Sequence, residues 1–219
     1  PVEEIAGGVK RKNPDVLVHC DCVQGFGKIL FSLNRIKADM VTMSSHKIHG
    51  PKGCGAIYVR EGVNVRPLCF GGSQESKVRP GTENVPGIAA FGHASLKALR
   101  DIRENWEHVK ELNLYLRDCL RQMEDVVINS PSGAVPYVLN ISVLPFATEE
   151  LLHEMRMRGI YLSGSSACEK GARSHVIRAM GIEGPRADSV VRIGLGKKNT
   201  REEVTVLVET LNELIKRGK

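Results

Sequence analysis

The 219 residues carry 31 lysines and arginines against 25 acids, a formal charge of +6, with 42% hydrophobic and 26% charged side chains. That balance belongs to a folded globular chain of one large or two small domains, and excludes collagen-like, coiled-coil and disordered classes. No apolar run approaches the ~18 residues of a membrane span, and no charged start followed by an apolar stretch marks a secretory signal.

The chain opens at Pro1 in what already reads as a first helical turn, with Val2, Ile5, Ala6 and Val9 on one face. Three short apolar runs follow, each ending in polar residues. Val16-Leu17-Val18 leads into His19-Cys20-Asp21, Met40-Val41-Thr42-Met43 into Ser44-Ser45-His46-Lys47, and Gly55-Ala56-Ile57-Tyr58-Val59 into Arg60. Such runs predict sheet strands covered by helices on both faces. From Asn84 to Met123 apolar residues step by three or four, which predicts one long amphipathic helix, broken once near its start. Beyond it, Val126 to Ile128, Tyr137 to Leu144, Ile160 to Ser163 and Val190 to Leu195 read as strands. Thr148 is placed to cap one helix, and Thr200 with Glu203 forms a capping box for the last. The expected organisation is an α/β chain in three parts: a sheet-containing part over 1–83, a bridging helix over 84–125, and a small α/β domain over 126–219.

The high pI of about 9.1 would suit nucleic acid. However, only Lys10-Arg11-Lys12 and Lys197-Lys198 cluster, without aromatics between them, so no nucleic-acid partner is expected. Six cysteines are too few for a disulfide scaffold of this length; reduced thiols and a cytoplasmic setting are expected. His19, Cys20, Cys22, His46 and His49 lack the spacing of a metal site, and no metal is expected.

Chemistry concentrates elsewhere. Asp21 with Gln24, and Ser44 with His46 and Lys47, stand at strand ends, where parallel α/β sheets bind ligands. Gly50, Gly53 and Gly55 follow, in neither a Walker nor a dinucleotide pattern. Arg79-Pro80-Gly81-Thr82 precedes the long helix. Ser163-Gly164-Ser165-Ser166-Ala167-Cys168 sets a thiol in a small polar loop, with Lys170 and Arg173 nearby to favour a thiolate.

These motifs, in this order and spacing, resemble cysteine desulfurases, pyridoxal 5'-phosphate enzymes of the class V aminotransferase family. The similarity runs from Pro1 to the last helix. It implies the C-terminal part of a type I pyridoxal phosphate-dependent transferase fold, with an N-terminal half beyond this chain that carries further cofactor contacts. The resemblance further implies roles for single residues. Lys47 would bind the cofactor as a Schiff base, Asp21 would face the pyridine nitrogen and Gln24 the phenolate oxygen. Ser44 and His46 would bind the phosphate, and Thr82 the phosphate of a partner subunit, which implies a homodimer. Arg192 would hold the carboxylate of L-cysteine, and Cys168 would take its sulfur as a persulfide. The sulfur would pass to an acceptor such as an iron–sulfur scaffold protein. A selenocysteine lyase or aminotransferase of the same family, and a non-catalytic portion that needs its N-terminal half, are the alternative expectations.

Overall fold

A computed structural model describes residues 1–164 and 174–217. The chain divides into two compact units, Pro1–Glu104 and Asn105–Lys219.

The first unit opens with α1 (Val2–Lys12), whose early Glu3 and Glu4 and late Lys10, Arg11 and Lys12 complement the helix dipole. A three-stranded sheet follows, made of β1 (His19–Asp21), β2 (Met40–Ser44) and β3 (Gly55–Val59), with the short helix α2 (Leu33–Ile36) between the first two. β1 and β2 are parallel, aligned from His19 opposite Met40 to Asp21 opposite Thr42. β3 returns antiparallel to β2, with Ser44 opposite Gly55.

The expected first strand begins three residues late. Asp39 takes over the backbone of Val18, accepting its N–H at 2.7 Å on Oδ2 while the Asp39 N–H donates to the Val18 carbonyl. The ladder therefore starts only at His19, and Leu17 is left 55% exposed. Burial on both faces is also only partly realised. Val41 on the central strand is fully buried, whereas Ile57 on an edge strand is 47% exposed.

The long helix expected over 84–125 is two helices, α3 (Val85–Arg100) and α4 (Ile102–Leu120), parted at Asp101. Asn84 caps α3 by accepting the Gly87 N–H at 3.2 Å. The break falls mid-way because Asp101 leaves helical geometry (φ −93°, ψ 6°), and the apolar period resumes beyond it.

In the second unit β4 (Val126–Ile128), β5 (Val138–Val143) and β6 (Val190–Gly194) form an antiparallel sheet in that order. Its helices are the rest of α4, α5 (Thr148–Met157), the short α6 (His175–Ala179) and α7 (Gly184–Asp188), and α8 (Arg201–Arg217). Leu116, Leu139, Ile141, Met155, Val191 and Leu211 lie in one fully or nearly fully buried core. Each such side chain contributes about 1.5–3 kcal/mol by leaving water. The capping box is present: the Glu203 N–H donates to Thr200 Oγ1 (3.3 Å) and the Thr200 N–H to Glu203 Oε2 (3.2 Å). Thr148 does not cap. It is the first residue of α5, and its hydroxyl instead meets the carbonyls of Asp188 and Val190 at 3.0 and 2.9 Å. The expected strand over 160–163 reduces to a single bridge, Ser163 opposite Arg192.

Candidate active site

The first unit brings four of the sequence-expected residues to neighbouring strand ends. Asp21 is the last residue of β1, and Ser44 the last of β2. Parallel register sets Asp21 beside Thr42, so Ser44 lies ~7 Å further along the neighbouring strand. Beyond Ser44 the chain tightens into a 3-10 turn, Ser45–Ile48, which carries His46 and Lys47.

Two anchors fix that turn. Ser45 N–H donates to the Cys54 carbonyl and Gly50 N–H to the Ser45 carbonyl. Ile48 is buried with Phe91 and Ala98 of α3. Gly50 is required sterically, since a Cβ there would sit 2.1 Å from Ser45 Oγ and 3.2 Å from Ala94 Cβ. Gly27 (φ +69°) also passes closely over this packing, 2.7 Å from Ile48 Cγ2 for an added Cβ.

Several of the polar groups have defined partners. Ser44 Oγ and His46 Nδ1 are 2.7 Å apart. Asp21 Oδ1 accepts the Val23 N–H at 2.9 Å, and the residue remains exposed. Gln24 Oε1 accepts from Lys28 Nζ at 3.1 Å. Burial, followed by the charge of Lys47, lowers the proton affinity of Lys28. Lys28 was not singled out by sequence; the only signal was its spacing, four residues after Gln24. His19 Nε2 meets Thr42 Oγ1 at 3.2 Å across the two strands. Cys20, on β1, and Cys22, just beyond it, bring their sulfurs to 3.5 Å. The Cys22 thiol is pushed up to about 12, by burial first and then by Cys20 and Asp21.

Thr82 stands exposed in the loop before α3, after Gly81 (φ +105°), whose N–H donates to Gln74 Oε1 at 3.2 Å. Arg192 belongs to the second unit, in the middle of β6 opposite Asn140. Its backbone also exchanges two hydrogen bonds with Ser163, so β6 is paired on both sides at this point. Gly164, the next residue, leaves room for Thr148, whose Cγ2 would lie 2.9 Å from an added Cβ. Cys168 lies outside the described residues.

These groups match a pyridine ring bearing a phosphate. An exposed carboxylate at one strand end suits a ring N–H. A hydroxyl and an imidazole at the next strand end suit phosphate oxygens, and a lysine on the following turn suits an aldehyde carbon.

By family comparison, the chain belongs to the class-V aminotransferase family, whose profile matches residues 1–207. Among curated relatives it is 38% identical to the mitochondrial cysteine desulfurase of Saccharomyces cerevisiae, over 99% of this chain and 44% of that protein. It is 34% identical to the cysteine desulfurase IscS of Methanosarcina thermophila, over 99% of this chain and 54% of that protein. A solved NifS-like protein superposes with a TM-score of 0.91 at 37% identity, covering 99% of this chain and 57% of its own. The chain thus spans about half the length of the relatives it matches, and its fold is that stretch of a pyridoxal phosphate-dependent type I fold.

Proposed function

We propose that this chain forms the lysine- and cysteine-bearing part of a pyridoxal phosphate-dependent cysteine desulfurase acting on L-cysteine. The observation that carries the reading is the placement of Asp21 and Ser44 at adjacent parallel strand ends, with Lys47 on the anchored turn that follows. The bound cofactor supplies an electron sink through its protonated ring. Asp21 keeps that ring proton in place, and Gln24 faces the phenolate oxygen. Ser44 and His46 take phosphate oxygens. Lys47 would hold the cofactor's aldehyde carbon, and its amine would carry protons to and from the substrate carbon.

Arg192 orients the substrate carboxylate with its planar fork. Cys168, as a thiolate, takes the sulfur: an S–S bond forms as the Cβ–S bond of L-cysteine breaks. The electron pair stays with carbon, which is protonated to give alanine. The persulfide on Cys168 is then passed to a sulfur-acceptor protein such as an iron–sulfur scaffold. Thr82 serves the phosphate of a second copy, so the working form is a homodimer. The described cysteines are all free thiols, which fits the reducing cytoplasm. Because the relatives are about twice as long as the matched stretch, the proposed activity is that of the assembled protein.

Borohydride reduction in the presence of pyridoxal phosphate, followed by peptide mapping, tests the reading. The label is expected on Lys47. A label carried instead by Lys28 or Lys52 refutes the assignment.

A further inference from the structure

Gln24 and Lys28 lie on one tight turn. Gly25 and Phe26 N–H groups donate to the Cys22 carbonyl, and Lys28 and Ile29 N–H groups to the Gly25 carbonyl. Residues four apart on such a turn share a face, and Lys28 Nζ reaches Gln24 Oε1 at 3.1 Å. An ammonium has donors only, so it selects the oxygen end of the amide and turns the NH₂ end away from itself.

We propose that Lys28 is a positioning residue for Gln24: by occupying Oε1 it presents the Nε2 amide hydrogens to the phenolate oxygen of the pyridine cofactor. The inference rests on the proposed reading of the site and names a group that reading leaves without a role. An ordinary exposed glutamine–lysine pair would do no more than decorate the turn. Lys28 differs in being half-buried and within reach of the Lys47 charge, which together with burial lowers its proton affinity. The lysine is therefore half-buried within the electrostatic range of Lys47 and not out in bulk water. With Lys28 removed, the Gln24 amide is free to present its oxygen to the phenolate, and two acceptors would repel.

The test has two readouts. In the cofactor-free chain, side-chain amide resonances of Gln24, assigned by their loss in Gln24→Ala, are expected to move in Lys28→Met and to stay in Lys28→Arg. In titrations of the assembled protein with pyridoxal phosphate followed by absorbance, Lys28→Met is expected to weaken binding about tenfold, the loss of one charge-assisted bond. In a Gln24→Ala background the same change should have no further effect. An unmoved Gln24 resonance, or equal weakening in both backgrounds, overturns the proposal. If the reading of the site fails instead, wild type gives no reducible cofactor bond at Lys47, while the amide resonances still report on Lys28.

Discussion

Gly50→Ala is expected to destabilise the first unit by about 2 kcal/mol and to disturb Lys47 with it. The added methyl would lie 2.1 Å from Ser45 Oγ, 3.1 Å from the Ser45 carbonyl and 3.2 Å from Ala94 Cβ. Ser45 is fully buried and cannot swing its hydroxyl into water, so the turn or α3 must shift. Overpacking of this kind costs roughly 1–3 kcal/mol. Against it stands a gain of about 0.4–1 kcal/mol from the stiffer unfolded chain when glycine becomes alanine. The Ser45 hydroxyl also makes no hydrogen bond. Ser45→Ala alone should therefore be neutral or stabilising by about 1 kcal/mol, since a buried unsatisfied group is removed. Combined with Gly50→Ala it deletes the 2.1 Å clash and leaves the two softer contacts, so the double variant should recover more than half of the loss.

Native-state hydrogen exchange of the Gly50 and Val41 amides against denaturant reads the first unit separately from the second. If Gly50→Ala stays within about 0.5 kcal/mol of wild type, or costs the same with and without the Ser45 hydroxyl, the packing argument is wrong. Lys47 lies between these two residues, and a displacement of ~1 Å at a reacting group can cost ~10²-fold. Its borohydride-trapped labelling by pyridoxal phosphate should fall accordingly.

Asp39→Asn should cost about 2 kcal/mol at neutral pH and progressively less in acid. Burial alone would raise the Asp39 carboxyl, but the Lys10 hydrogen bond, the Val18 N–H and the Arg60 charge outweigh it and hold it below its usual range. Its stabilisation is thus complete above the unfolded carboxylate pKa of ~3.9 and lost as pH falls through the lower folded value. Wild-type and variant denaturant curves that stay equally far apart at pH 2 and pH 7 would contradict this. Cys168→Ala in the assembled enzyme should abolish sulfide release from L-cysteine while leaving the absorbance of bound cofactor intact; near wild-type sulfide production would remove Cys168 from the mechanism. The 219 residues alone should bind pyridoxal phosphate at ~0.1 mM or weaker and turn over no cysteine. Ser44 and His46 are the two phosphate donors proposed in one chain, and each missing charge-assisted bond costs about 1.5–3 kcal/mol. Tight stoichiometric binding with turnover would show the chain to be self-sufficient.

The strand ends were legible because polar residues interrupt apolar runs there, and a run of four such as Met40–Met43 has few alternatives. The capping box was legible because both halves lie within four residues. What the chain pattern hid depends on partners far along the sequence. The late start of β1 is set by Asp39, 21 residues beyond Val18. Thr148 looks like a cap until Asp188 and Val190 offer their carbonyls, 40 and 42 residues on. A break is expected, but near the start of the helix; its position at Asp101 is hidden from periodicity because one non-helical residue barely shifts the phase of the apolar stripe. Lys28 was missed because a lysine on a glycine-rich turn reads as a solvated charge, and its partial burial and its contact with Gln24 exist only after the turn has folded.

The anchoring of Lys47 bears on the role proposed for it. Its main chain is held at both ends, by the β2 ladder through Ser44 opposite Gly55 and by the Gly50 N–H on the Ser45 carbonyl. Ile48 next to it is fixed under Phe91, itself edge-on to Phe26 at 6.1 Å. The freedom that remains is in the four-carbon arm, which carries up to ~2 kcal/mol of rotamer entropy. A group that must hold one atom and then move a proton to another needs a fixed root and a mobile tip. A turn packed this closely would supply the root, and so its tight glycine would serve the proposed function as well as the fold.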